Sequence, residues 1–224
     1  YLKLKTKLIR QSIHGDEEKV HQREAIFEDI QEHFYDKLPE DEQVAVEVLQ
    51  AIDDVYVSEN AEFGEGLIEE YFEQTLLQTE YSVNDLLILY LYFLSNAISF
   101  KRNDDVLKKV RNNIVTIIDC SDNTYMHLLQ RVLIAIVLYQ LRNEYYEEIS
   151  VIFSFLREIM MEIQDSNLKP TVDYLEAKYY LYGEKDKEKA LQYYEKAISG
   201  AEFFNDINFK NRVIEEMKEE FPDM

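Results

Sequence analysis

Leu175, Tyr179, Gly183, Ala190, Tyr194 and Ala197 constrain this chain more than any other group of residues, because their spacing reads as one pair of antiparallel helices packed face to face. Leu175 and Tyr179, four residues apart, fill the inner face of the first helix. Gly183 permits a tight turn, Ala190 lets the second helix approach closely, and Tyr194 and Ala197 close the seam. Glu176 stands where such a hairpin ordinarily carries a small residue, and extra residues follow Gly183, so this is a divergent copy. Stacked pairs of this kind build a concave surface, and such surfaces bind ligands.

The rest of the chain parses in the same way. Leu4 and Leu8 share a face; Gly15 and Asp16 break the pattern before Ile26, Ile30 and Phe34 resume it. Pro39, Glu40, Asp41 and Glu42 suit a helix N-terminus, and Val44, Val48, Ile52 and Val55 form the stripe that follows. Gly64 and Gly66 mark the start of a partner helix carrying Leu67, Tyr71 and Leu76. Ser82 and Asp85 make a capping box for Leu86, Leu87, Tyr90, Leu91 and Leu94, a helix apolar nearly all round and therefore expected at the centre. Val106, Val110, Ile114 and Ile117 supply its partner, and the polar run from Ser121 to Thr124 resets the chain. Residues 128–141 and 149–163 make a fourth pair, Lys169, Pro170 and Thr171 open a fifth, and a last helix near 208–221 caps the open end. The expectation is an all-α, right-handed superhelix of about five tetratricopeptide-like hairpins over residues 1–206, with residues 207–224 as the capping helix of the same domain.

Composition agrees. Only 5 Gly and 3 Pro occur in 224 residues, too few for the turns of a sandwich or barrel, and 46% hydrophobic content is ample for a continuous core. The net charge of -21 argues against direct contact with DNA or an anionic membrane, because phosphate binding needs a positive field. Cys120, the single cysteine, forms no internal disulfide, which with the lack of a cleavable signal points to the cytoplasm. The apolar tracts 86–100 and 128–139 are interrupted by Ser95, Asn96, Gln130 and Arg131 and read as core helices. The chain opens at Tyr1 inside a helical pattern and without an initiator Met, so an upstream segment is expected.

Catalytic patterns are missing. His14, His21, His33 and His127 show no metal-ligand spacing, so neither a metal nor another cofactor is expected. Gly64 and Gly66 lack the third glycine and preceding strand of a dinucleotide loop, and the paired acids Glu69 and Glu70, Glu147 and Glu148, and Glu215 and Glu216 point in different directions on their helices. An enzyme is not expected. Arg131 is the exception to a plain reading: flanked by Leu128, Leu129, Val132 and Leu133, it needs a carboxylate, from within the chain or from a ligand. Arg23 poses a milder form of the question, with an exposed arginine the plain answer. Tyr90, Tyr92, Phe93, Tyr179 and Tyr180 are mostly core, and those facing the inside of the curve suit a short hydrophobic peptide.

Several blocks carry a family likeness: Leu8 and Ile9; Phe34 through Glu42; Asn84, Asp85, Leu86 and Leu87; Tyr125; Lys169, Pro170, Thr171 and Val172; Ala177, Lys178 and Tyr179; and Lys196, Ala197 and Ile198. In order and spacing the chain resembles the peptide-sensing domain of ComR-like regulators in the Rgg-type family of Gram-positive quorum sensors. The resemblance implies a cytoplasmic receptor with a helix-turn-helix DNA-binding domain upstream of this one. An imported, short, hydrophobic, tryptophan-rich peptide would bind the concave face, free the DNA-binding domain, promote a homodimer and activate competence genes. Promoter DNA would be touched only through that upstream domain, and no membrane is involved. Arg23 falls at a basic position of the family pocket and Thr171 at a small hydroxyl position, whereas Arg131 replaces a polar, uncharged residue. The peptide-binding set expected on these grounds is Arg23, Tyr90, Leu94, Ala97, His127, Arg131, Ala135, Thr171, Tyr174 and Lys178; Phe209, Val213 and Met217 form a stripe that either seals its own repeat or meets a second subunit, and the resemblance favours dimerisation. The rival reading is a repeat scaffold or a response-regulator-binding module without a DNA-binding role.

Overall fold

A computed structural model describes residues 1–11, 17–114 and 122–222. Every regular element among them is helical: α1 (Leu2–Arg10), α2 (Glu17–His33), α3 (Glu40–Ser58), α4 (Glu62–Leu76), α5 (Val83–Ile98), α6 (Asp104–Ile114), α7 (Asn123–Arg142), α8 (Ile149–Glu162), α9 (Lys169–Lys178), α10 (Lys187–Phe203) and α11 (Ile207–Glu220). A 3-10 turn covers Tyr35–Lys37 and a π-helical turn Tyr179–Gly183. The all-α expectation holds, with helix borders close to those read from periodicity. The expected break at Gly15 and Asp16, the stripe position Ile117, and His14, Cys120 and Ser121 lie outside the described residues.

The helices gather into two compact units, the first ending at Asn143 and the second running on from Glu144. The boundary falls between α7 and α8.

In unit 1, α5 is central, as its apolar surface requires, and packs against α3, α4 and α7. Leu86, Leu87, Leu89, Leu91 and Phe93 are fully buried. The capping box forms: Asp85 N–H donates to the Ser82 hydroxyl at 3.1 Å and Ser82 N–H donates to the Asp85 carboxylate at 2.8 Å. A Cβ at Gly64 would lie 2.8 Å from the Leu91 side chain, so this glycine lets α4 press onto α5 from within its own first turns. It does not mark the helix start. Phe72 stacks on Tyr92 at 3.7 Å, and Phe93 meets Tyr139 of α7 edge-on. Among the described residues α7 is the one helix long and apolar enough to cross a membrane; 72% of that stretch is buried inside the protein. Lys5 is buried too, its ammonium donating to Glu42 and Asn84 at 2.7 Å each, which ties α1 to the starts of α3 and α5.

In unit 2 the founding hairpin is α9 with α10. Leu175, Tyr179, Ala190, Tyr194 and Ala197 are all buried, as their spacing predicts. Ala190, Ala197 and Ala201 let α10 approach closely, and a Cβ on Gly200 would stand 3.0 Å from the Pro170 ring. Gly183 has a different role from the expected turn. It ends the π-helical turn, where the Glu184 N–H donates to the Tyr179 carbonyl at 3.1 Å, and a Cβ there would meet the rings of Tyr146 and Tyr179 at 3.0 and 3.1 Å. The left-handed residue of the turn is Lys185, at φ 58. Glu176, the oversized residue of the hairpin, is buried and tolerated because Arg157 reaches in to pair with it. α11 lays Phe209 and Val213 into a closed cluster with Ala177, Tyr194, Ala197 and Ala201. Burial of a side chain such as Phe209 stabilises the unit by about 1.5–3 kcal/mol.

Candidate functional site

Unit 1 holds a narrow cavity between α1, α2, α3, α5 and α7, with about 40 Å3 open to a water-sized sphere, more than the roughly 10–15 Å3 that seats a water. Its apolar wall is Leu8, Ile9, Leu49, Ile52, Leu87 and Leu128, and its polar members are Gln11, Arg23, Asp53, Tyr56, Tyr90 and Arg131. Here three expected residues, Arg23, Tyr90 and Arg131, come together from three helices.

Arg23 is buried, which corrects the expectation of an exposed arginine. It is tolerated inside because its guanidinium is bonded along its length: Nε and Nη2 donate to the two oxygens of Asp53 at 2.6 and 2.7 Å, and Nη1 donates to the carbonyls of Leu8 and Gln11 at 2.5 and 3.0 Å. Arg131 is different. It donates to the Arg10 carbonyl at 2.8 Å and to the Tyr90 hydroxyl, both neutral acceptors, while Asp53 acts on it only at longer range. Burial and, after Tyr90, the like charge of Arg23 act on it, and its pKa lies below the ordinary arginine value. Burial also raises the carboxyl of Asp53, against the pull of Arg23, and raises the phenol of Tyr90. Gln11 leaves its side-chain carbonyl oxygen buried without a hydrogen-bond partner at the same place. Among the lining residues two guanidiniums stand with one carboxylate.

Asp53, next to Asp54 in sequence, carried no signal of the kind that singled out Arg131. Tyr56 and Gln11 had no such signal.

The other expected residues lie elsewhere. Leu94 and Ala97 on α5, with His127 and Ala135 on α7, are buried within unit 1 rather than presented on a surface, because these helices are apolar nearly all round. Thr171 sits half-buried in the first turn of α9. Tyr174 and Lys178 face α11: the Tyr174 hydroxyl donates to Glu216 at 2.7 Å, and the Lys178 ammonium pairs with Glu216 and Glu220 at 2.7 and 2.5 Å. The hydroxyls of Tyr182 and Tyr194 also donate to Glu220. The expected dimer stripe is internal as well: Phe209 and Val213 are buried and Met217 packs at the margin of their cluster, since the small residues of α10 leave a trough that α11 fills. Among the described residues no group of three His, Cys, Asp or Glu side chains could hold a metal ion.

The profile of the ComR tetratricopeptide family matches residues 1–217. The chain belongs to that family. Among solved members, ComR from Streptococcus vestibularis, in complex with its cognate signalling peptide XIP, is 26% identical with a TM-score of 0.86, over 98% of this chain and 74% of that one. The apo form of the same protein gives 28% and 0.86 over the same shares. ComR from S. thermophilus, solved with DNA and its signalling peptide ComS, shares the fold at 22% identity and a TM-score of 0.85, over 98% of this chain and 75% of that one. Comparison with curated proteins gives no match. The family's helical fold is thus present here with a second arginine, Arg131, in the cavity of unit 1.

Proposed function

We propose that this chain is the sensing part of a cytoplasmic competence regulator, which binds a short hydrophobic peptide and thereby controls an attached DNA-binding module. Family membership and the peptide seen with the S. vestibularis relative support the ligand class. The observation that carries the reading for this chain is the surplus guanidinium of Arg131 beside a cavity with a leucine- and isoleucine-rich wall. A carboxylate of the peptide, from its C-terminus or from an acidic side chain, supplies the missing charge, and apolar side chains follow it onto that wall. Arg23 holds Asp53 in place, and Tyr90 orients Arg131. Leu94, Ala97, His127 and Ala135 belong to the same two helices and come into contact only where those helices part. Thr171, with a half-buried hydroxyl, is the proposed hydrogen-bonding contact of unit 2. DNA is left to another module because a charge of -21 repels phosphate.

The test is calorimetry with XIP, ComS and the C-terminal fragment of any short hydrophobic peptide encoded beside this gene. Saturable binding to at least one, lost on replacing its acidic groups by amides, is expected; no binding to any of them overturns the proposal. Peptide-promoted dimerisation through Phe209, Val213 and Met217 requires α11 to leave its own cluster, and light scattering that stays monomeric at saturating peptide removes that part of the reading.

A further inference from the structure

The α2 and α3 wall of unit 1 carries a second recess that peptide binding at Arg131 does not use. α2 turns Arg23, Ile26 and Ile30 inward, and that stripe is what the unit buries. Val20, Glu24, Phe27 and Gln31 form another stripe on a different face of the same helix. Gln50, Asp54 and Val57 answer it from α3, and the two rows enclose a groove of about 530 Å3. The apolar part is Val20, Phe27 and Val57, the last 54% exposed. Glu24, Glu28 and Asp54 stand at the rim, all exposed, and no basic side chain is among the lining residues. Asp53 also borders the groove, but its charge is matched by Arg23. Asp54 has no such match: its carboxyl is pushed above the ordinary value by burial and by the negative charge of Glu24.

We propose that this groove docks a basic amphipathic helix of a partner protein, which lies between α2 and α3 with apolar side chains on Phe27 and Val57 and lysines or arginines against Glu24, Glu28 and Asp54. The geometry supports a helix because both walls present residues three and four apart, the spacing at which one helix meshes with another. Charge selects its sign. A second copy of this chain, at a net charge of -21, is a poor occupant, and so is an anionic lipid surface. The groove admits a few side chains rather than a domain, so the contact is small, of the transient class. It is independent of the peptide reading, since none of Val20, Glu24, Phe27 or Val57 lines the Arg131 cavity.

The probe is a fluorescein-labelled synthetic helix of leucine and lysine with leucines on one face, followed by anisotropy at physiological salt; the same helix with glutamate for lysine is the control. Val57→Asp should weaken binding of the lysine helix by about tenfold or more, equivalent to about 1.4 kcal/mol. The triple substitution Glu24→Lys, Glu28→Lys and Asp54→Lys should do at least as much. Glu62→Lys, Glu69→Lys and Glu73→Lys, on the exposed face of α4, change the net charge equally and should leave affinity within about twofold. Equal weakening by the two triple variants, or an unchanged affinity in Val57→Asp, overturns the proposal. Circular dichroism of each variant checks folding, and should Val57→Asp fail to fold, the contrast between the two charge triples decides alone.

Discussion

Two ion networks, one in each unit, balance their charges in opposite ways. In unit 1 the guanidinium of Arg23 takes both oxygens of Asp53, while that of Arg131 bonds neutral acceptors only, and a cavity lies beside them. In unit 2 the ammonium of Lys178 stands between the carboxylates of Glu216 and Glu220, whose oxygens also accept the hydroxyls of Tyr174, Tyr182 and Tyr194. These bonds and the buried cluster beside them make the second network a fastening for α11. The first holds one cation more than its carboxylate pairs, beside a cavity, and the proposed peptide contact rests on that uneven count rather than on buried charge alone.

The largest effect expected from this contrast is on stability in unit 1. Asp53→Ala leaves the buried Arg23 guanidinium without a counter-ion and should cost about 3–5 kcal/mol in urea denaturation. A loss below about 1 kcal/mol would show that water already screens this network, and the contrast would fail.

Arg131→Ala comes next, and its effect should appear in binding. Removing the surplus cation leaves Asp53 still paired with Arg23, so the melting temperature should move little, while peptide affinity falls by about 2–5 kcal/mol. Calorimetry and circular dichroism melting on the same samples separate the two. A lowered melting temperature with unchanged affinity would assign Arg131 to the fold.

Lys178→Met should behave in the opposite sense. It strips Glu216 and Glu220 of their cation and should destabilise unit 2 by about 1.5–3 kcal/mol without altering peptide affinity. A weakened affinity at unchanged stability would move Lys178 into the binding set.

The smallest effect is in pH dependence, and it differs in sign. Glu216, though desolvated, is held below its ordinary 4.5 by Lys178 and Tyr174, so its contribution is present at neutral pH and is lost as pH falls through its folded value. Asp53 is raised above 3.8 by burial, so the proton-linked part of its contribution is present below 3.8 and is lost as pH rises through its folded value, leaving the pairing with Arg23 at neutral pH. Carboxyl titration by NMR should place the Asp53 midpoint above and the Glu216 midpoint below those ordinary values, and shifts of like sign would remove the distinction.

Helices were legible because the apolar residues that make them also bury them: Leu86, Leu87 and Leu91 on α5, or Leu175, Tyr194 and Ala197 in the hairpin. Turns were less so. Glycine was the signal sought, yet left-handed backbone is carried by Glu59, Phe100, Glu144, Glu148, Gln164, Lys185 and Asn205, side chains of which Asn205 alone favours that conformation. Gly64 and Gly183 instead make room for Leu91 and for the rings of Tyr146 and Tyr179, contacts that only a tertiary neighbour reveals. The same limit governs the site. Periodicity places Tyr174 and Lys178 on one face of α9 but does not say that α11 covers it. The oddity of Arg131 could be read from its flanks, whereas the pairing of Arg23 with Asp53 spans 30 positions and follows no local pattern.

Tyr90 has an optical consequence. The chain contains 17 tyrosines and no tryptophan, and the Tyr90 phenol borders the Arg131 cavity. A tryptophan-bearing peptide seated there adds an indole to a chain that has none, placed to receive excitation energy from a tyrosine at close range. Its emission then rises against a background to which these 224 residues contribute no indole, so that this chain, without a label, reports occupancy of its own cavity.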